Sequence, residues 1–316
     1  MRRHCLWTLL AGACGAGLAP WPALAADAEV WIVCSAVGGV HAETAQALQQ
    51  AWARESRLTL GWRVVTWSEL PLASGPLPQL IVTLGSGAYL EWIERTQASP
   101  ALARVPMLAA LLPQASYPVP VARVPGQTSA IFLDQPAARI ARLLQLALPE
   151  FRRVGVLFGP DSLVARPALS RALSAQGFKL VEQTVLSGDK GIYPALRSLF
   201  DDADLLLAMP DKRVYSVSNM HNILLAAYRQ RVPVVSYSAA HVRAGALLAL
   251  HTEPASVGQQ LAGALRQWQA GRGLPPPAMA DGYAVALNDQ VARSLDLSLP
   301  NAEALLQALK LQESAR

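Results

Sequence analysis

A Gly-Ser-Gly junction is the first place where this sequence could do chemistry. An apolar run at residues 80–84 ends at Gly85, Ser86 and Gly87, and a helical pattern then begins. Glycines let the backbone approach a ligand closely, and the Ser86 hydroxyl adds a polar contact. Neither the G-x-S-x-G of a nucleophile elbow nor the Gly-Lys-Ser/Thr of a phosphate loop is present there. The junction predicts a neutral site for a carboxylate or an amide-like group, or a plain strand-to-helix turn.

A similar turn of small residues follows the first predicted strand. Ser35 and Ala36 come directly after the apolar run 30–34, and two glycines follow them. Ligands in open α/β sheets bind at the carboxyl ends of strands. We therefore expect Ser35 and Ala36 to contact a ligand together with Ser86, Gly87 and Ala88. Cys34, just before the turn, is either a small buried hydrophobe or a thiol that reaches the ligand.

Two further candidates lie in the second half of the chain. Asp211 follows the apolar run 205–209, where it could pair with a ligand ammonium group or cap a helix beginning near residue 214. Ser236 and Tyr237 end the next apolar run, and their hydroxyl and aromatic groups suit either a small-molecule cleft or an ordinary loop.

Constellations typical of enzymes are missing. The histidines are scattered without metal-ligand spacing, and the acidic pair Asp201 and Asp202 has the pattern of a solvated helix end. We therefore expect a binding protein rather than an enzyme, without a cofactor or a metal.

Apolar runs alternate with helical patterns along most of the chain. The predicted strands occupy residues 30–34, 60–67, 80–84, 106–112, 153–158, 179–185, 205–209 and 232–237. This alternation predicts parallel sheets covered on both faces by helices. A Pro-rich connector at 113–125 divides the strands into two series, which predicts two Rossmann-like α/β lobes. Residues 256–311 hold a further strand at 283–287 and three helices, which we expect to complete both lobes.

The amino-terminal 25 residues have the pattern of a secretory signal peptide. A basic start is followed by an apolar stretch at 6–18 and an Ala-Leu-Ala cleavage pattern at 23–25. A weaker alternative is a lipoprotein cleavage site at Cys14. We therefore expect export to the periplasm. Only Cys34 then remains of three cysteines, so the mature chain cannot form an internal disulfide.

Composition excludes several other classes. The chain has 316 residues, of which 52% are hydrophobic and 16% charged, too apolar for a disordered protein. Its net charge is +5 and it carries no basic run, so nucleic acid is not an expected partner.

Several segments carry a resemblance to a known family. Residues 78–88 resemble "P-x-I-V-x-x-G-S-x-A", and residues 148–158 resemble "L-x-P-x-x-x-R-V-G-V-L-Y". Residues 244–247 read "A-G-A-L", and residues 288–300 resemble "N-x-x-x-A-x-x-L-G-L-x-I-P". The segments follow one another in the family's order over nearly all the predicted mature chain. The sequence thus resembles ABC-transporter substrate-binding proteins of the type whose ligands include aromatic amino acids.

The resemblance implies two lobes, joined by crossing strands, that close by hinge motion on a small amino-acid-like ligand. It places one lobe at residues 26–125 plus about 250–284 and the other at 126–249 plus about 285–316. It also places Ser129 at the crossover, lining the cleft with the candidates above. Gln127, Ser129 and Ala130 replace the family's usual Asn, Thr and Gly there.

The partner that the resemblance implies is an ABC permease in the inner membrane, and we expect the protein to be monomeric. The alternative is a periplasmic sensory or accessory protein of the same fold.

Overall fold

The computed structural model describes residues 29–56, 59–70, 76–117, 127–185 and 191–314. The predicted signal peptide at 1–25 and most of the Pro-rich connector lie outside these ranges. In chain order, the strands are β1 Glu29–Cys34, β2 Gly61–Thr66, β3 Leu80–Leu84, β4 Met107–Leu112, β5 Thr128–Phe132, β6 Arg153–Phe158, β7 Lys179–Thr184, β8 Leu205–Leu207, β9 Val234–Ser236, β10 Leu248–Thr252, β11 Ala278–Met279 and β12 Tyr283–Leu287.

Helices connect most of these strands. They are α1 Gly39–Glu55, α2 Ser86–Ala98, α3 Pro100–Ala103, α4 Ala137–Ala147, α5 Arg166–Ala175, α6 Ile192–Asp202, α7 Val217–Arg229, α8 Ala239–Arg243, α9 Pro254–Gln267, α10 Asp289–Ser294 and α11 Ala302–Ser314. None of the described helices is both long enough and apolar enough to cross a membrane.

The strands form two six-stranded sheets, each the centre of one lobe. The first sheet has the order β11-β5-β4-β3-β1-β2 with parallel pairing throughout. The second has the order β12-β10-β9-β8-β6-β7, and only its edge strand β12 is antiparallel. Central strands such as β3 and β4 are buried along their whole length, because helices cover both faces. The predicted two-lobe α/β fold is therefore confirmed.

Within the described ranges, the chain passes between the sheets three times: after Phe132, after Thr252 and after Met279. These crossings differ from the predicted lobe boundaries at three strands. β12 lies wholly in the second sheet, although the predicted boundary at about 284/285 divides it. β5 pairs with β4 in the first sheet, although the predicted boundary at 125/126 assigned it to the second lobe. β10 pairs with β9 in the second sheet, so the return to the first lobe comes after Thr252 rather than at about residue 250.

Helix α9 is the returning element that packs on the first lobe. Gly258 makes the close approach possible, since a Cβ there would lie 2.5 Å from the Cβ of Ala47 on α1. Val257 and Leu261 of α9 belong to the same buried cluster as Leu48.

Two of the crossing segments are hydrogen-bonded to each other. The Gln135 side-chain amide donates to Thr252 Oγ1 at 2.7 Å, and the Thr252 hydroxyl donates to the Leu133 carbonyl at 3.2 Å. The two segments are therefore joined side by side where the chain crosses between the sheets.

Candidate ligand-binding site

A cavity of about 370 Å³ lies between the carboxyl edge of the second sheet and the first crossing segment. Strands β8, β9 and β10, helix α4 and the turn before α5 form most of its wall. The first lobe contributes Gln114 and Ala115, which follow β4, and Met279 of β11. The cavity therefore sits between the lobes, where open α/β sheets bind small molecules.

Most of the cavity wall is aliphatic. These side chains come from the crossing segment, from two helices and from three neighbouring strands: Leu133, Ile140, Leu143, Leu169, Leu207, Val235 and Leu250. Leu207, Val235 and Leu250 belong to strands of the second sheet, and the other side chains come from segments that pack over its carboxyl edge. Such a surface suits the non-polar body of a ligand.

Two carboxylates are among the polar groups of the wall, Asp134 and Asp161. Asp134 is the second residue of the first crossing segment, and its Oδ2 accepts a hydrogen bond from the Gln114 N–H at 2.6 Å. Burial raises the pKa of Asp134, and the Gln114 N–H only partly opposes that effect. A positively charged ligand group beside Asp134 would favour its ionised form.

Ser236 and Tyr237, two predicted site residues, both line the cavity. Ser236 Oγ lies 2.6 Å from His241 Nδ1. The Tyr237 ring packs edge-on against His241, with centroids 5.0 Å apart, and against Tyr215 at 6.4 Å. Burial, assisted by the charge of Asp211, raises the pKa of Tyr237 to about 12, so the phenol stays neutral at physiological pH. These contacts orient a hydroxyl-bearing aromatic ring at the wall.

Asp211 does not line the cavity but is bonded within its own lobe. It is 2% exposed, and its carboxylate accepts five hydrogen bonds. Oδ2 accepts from the Asp161 N–H, the Ser162 N–H and the Ser162 hydroxyl at 2.9–3.1 Å. Oδ1 accepts from the N–H groups of Arg213 and Val214 at 3.0 and 3.2 Å.

Asp211 accepts from the N–H groups of a single turn at 211–214 and does not cap a longer helix beginning near residue 214. Helix α7 begins at Val217, and its cap is Ser216, whose Oγ accepts from the Asn219 N–H at 3.3 Å. Asp211 instead ties the turn at 211–214 to the turn that follows β6.

The first-lobe candidates meet one another as the sequence predicts. The Ala88 N–H donates to Ser35 Oγ at 2.8 Å, which joins the ends of β1 and β3. Gly85 has φ +94°, and a Cβ there would lie 2.5 Å from Ser35 Oγ and 2.8 Å from His41 Nε2. The junction therefore needs glycine for its backbone conformation and for space.

This first-lobe edge does not reach the cavity. Ser86 is half-buried, Ala36 and Gly87 are exposed, and Ala88 is buried. None of them, nor Ser35, is among the described residues that line the cavity. Their role as ligand contacts remains a prediction that depends on movement of the lobes.

Ser129 lies elsewhere than the resemblance implies. It is the second residue of β5, opposite Leu108 of β4, and it is 1% exposed inside the first lobe. The crossing begins four residues later, at Leu133. The cavity instead uses Asp134 and Gln135, which sequence reasoning missed because it did not recognise β5 as a strand.

Within the described ranges, no group of His, Cys, Asp and Glu side chains is placed to hold a metal ion. Cys34 is buried at the end of β1, and burial raises the pKa of its thiol to about 11. The thiol is therefore protonated and unreactive at neutral pH.

Solved structures share this two-lobe architecture. One is an ABC domain from Streptococcus pneumoniae in complex with L-Trp, with 15% identity and a TM-score of 0.65, covering 89% of this chain and 98% of that one. Another is a ligand-free, open substrate-binding protein with adhesive properties from Clostridium difficile, with 18% identity and a TM-score of 0.66, covering 87% and 97%. A conserved domain protein from Vibrio cholerae matches with 19% identity and a TM-score of 0.64, covering 89% and 97%. No curated protein sequence matches the chain.

A family model matches most of the described chain. The family model described as "ABC transporter substrate binding protein" matches residues 106–309, which span β4 to α11 and include every described residue that lines the cavity. This confirms the resemblance seen in the sequence motifs. The chain belongs to the ABC transporter substrate-binding protein family.

Proposed function

We propose that the protein is a periplasmic solute receptor of an ABC importer, which binds a small organic molecule in the cavity between its lobes. One observation carries the proposal: the cavity of about 370 Å³ at the crossings combines an aliphatic wall with a few oriented polar groups. That composition is typical of small-molecule sites. The expectation of an amino-acid-like ligand with an aromatic or polar body fits the size of the cavity.

The proposed mechanism is closure about the three crossings. A solute held by the second lobe would be covered by the first-lobe edge at Ser35 and Ser86. Contacts with both lobes would then favour the closed form over the open one. The predicted signal peptide supports export, and the family supports delivery of the solute to a permease in the inner membrane. We expect the receptor to be monomeric.

A thermal-shift screen of amines, amino acids, organic acids and sugars tests the proposal. A solute at 100 times its dissociation constant adds about 2.7 kcal/mol to the free energy of unfolding. Ala168→Trp should abolish the shift, because Ala168 lines the cavity and is itself exposed on α5.

Ser174→Trp is the matched control, since Ser174 is exposed on the same helix and is not among the lining residues. A stabilising solute whose shift survives Ala168→Trp would place the binding site elsewhere and contradict the proposal.

A further inference from the structure

In the second lobe, a carboxylate of the protein itself occupies the N–H groups that could bind a ligand anion. In open α/β sheets, the N–H groups that follow strand ends commonly bind a ligand carboxylate or phosphate. Here the N–H groups of Asp161 and Ser162, after β6, donate to the Asp211 carboxylate, as do two N–H groups in the turn after β8. Gly159 leaves room for that carboxylate, since a Cβ there would lie 2.5 Å from Asp211 Oδ2. A ligand carboxylate would find these donors occupied.

The charged groups of the cavity wall are of one sign. Asp134 and Asp161 are acidic, and the described lining residues include no Lys, Arg or His. Arg139, near the crossing, is committed to Glu313, with Nε and Oε1 2.7 Å apart, and to the Gln135 side chain. A ligand anion would therefore meet two carboxylates and no cation, in a largely apolar site where such repulsion is poorly screened.

At the first-lobe edge, too, a backbone N–H group is bonded to a side chain of the protein itself. Ala88 is in the first turn of α2, and its N–H donates to the chain's own Ser35 hydroxyl. One of the amides that could have met a ligand carboxylate at this helix start is thus occupied as well.

We infer that the cavity takes an organic cation with an apolar body, such as an aryl-alkyl amine or a quaternary ammonium compound, and does not use a ligand carboxylate. Asp134 and Asp161 supply the negative charge, Tyr237 adds an aromatic side chain to the wall, and the aliphatic wall holds the body. The inference rests on the proposed function, and it replaces the expected amino-acid-like solute by an organic cation.

Isothermal titration calorimetry with ligands that share a ring but differ in charge tests the inference. The indole set is tryptamine, L-tryptophan and indole-3-acetate, and the phenyl set is phenethylamine, L-phenylalanine and phenylacetate. We expect the amine of each set to bind at least about tenfold more tightly than the amino acid, and the acid not to bind.

Asp134→Asn should weaken amine binding at least about tenfold, the loss expected for one charge-assisted hydrogen bond. Asp201→Asn, an exposed change on α6, should leave it unaltered. If Asp134→Asn does not fold, Asp161→Asn tests the other acidic residue of the wall. Weaker amine binding by Asp161→Asn supports the inference equally.

The outcomes separate the inference from the proposed function. Amino acids or acids that bind as tightly as the amines, in a manner abolished by Ala168→Trp, would overturn the inference and leave the solute receptor in place. Amine binding that is unchanged in both aspartate variants would also overturn it. If no compound of the two ligand sets or of the wider thermal-shift screen binds, both the inference and the proposed function are overturned.

Discussion

Replacing Asp211 by Asn isolates the role of the buried carboxylate. An Asn side chain keeps one acceptor oxygen and turns its NH₂ group toward backbone N–H donors. In either orientation it loses at least two of the five hydrogen bonds that the carboxylate accepts. Hydrogen bonds to a charged group contribute about 1.5–3 kcal/mol each, so we expect Asp211→Asn to lower the free energy of unfolding by about 3–6 kcal/mol.

Urea unfolding of the ligand-free protein, followed by far-UV circular dichroism, measures this loss. Tryptophan fluorescence provides a second probe, because the described tryptophans lie in the first lobe or at the end of α9: Trp31, Trp52, Trp62, Trp67, Trp92 and Trp268. The weakened contacts are in the second lobe, so the circular dichroism transition should shift more than the fluorescence transition.

Asp201→Asn is the control, and its effect should stay within about 0.5 kcal/mol because the side chain is exposed. A loss of less than about 1 kcal/mol in Asp211→Asn would refute the reasoning. A stable Asp211→Asn variant that no longer binds amines would show that Asp211 contacts the solute. Pairing of Asp211 with a ligand ammonium group is one of the two roles that the sequence suggests.

Three further variants test the surroundings of the site. Burial lowers the pKa of His241 below 6.5, so the unfolded chain binds the proton more tightly and the free energy of unfolding falls as the pH drops from 7 to 5. His241→Asn should reduce this dependence of stability on pH. An unchanged dependence would contradict the lowered pKa of His241. Gly85→Ala should cost at least about 1 kcal/mol more than Gly177→Ala in urea unfolding, since both have positive φ but only Gly85 is crowded, and equal losses would show that the crowding is relieved. Asp134→Asn should unfold at a higher temperature than the wild type at pH 7 without ligand, because burial disfavours the ionised carboxylate; a lower temperature would show that its hydrogen bond outweighs burial.

Periodicity predicted most of the framework. The central parallel strands such as β3 and β4 are largely apolar runs, and β3 and β12 have the predicted bounds because glycine, proline or polar residues flank them. The strands β5, β10 and β11 and the short helices α3 and α8 were not predicted. β5 follows the Pro-rich connector and was interpreted as part of a turn motif, so the first crossing was placed too early.

The site was less predictable because its residues are far apart in the sequence and come together only in the folded chain. The rule that ligands lie at strand ends correctly brought Ser35 beside Ala88, and it placed Ser236 and Tyr237 at the cavity. It could not show that Asp211 is satisfied by backbone groups 50 residues away in sequence. Asp134 could have been found by the same rule had β5 been recognised as a strand.

Closure of the lobes on a solute is the central claim, and a distance measured across the cleft tests it most directly. Val37 lies in the turn after β1 and is 87% exposed, and Val217 begins α7 and is 94% exposed. Spin labels at Val37→Cys and Val217→Cys, in a chain that starts at residue 26, report the separation of the lobes by pulsed electron paramagnetic resonance, while the buried Cys34 stays unlabelled. We expect the mean distance to shorten when the most stabilising compound of the thermal-shift screen is added, and not to change in Ala168→Trp. A distance distribution that is the same with and without that compound would contradict the account.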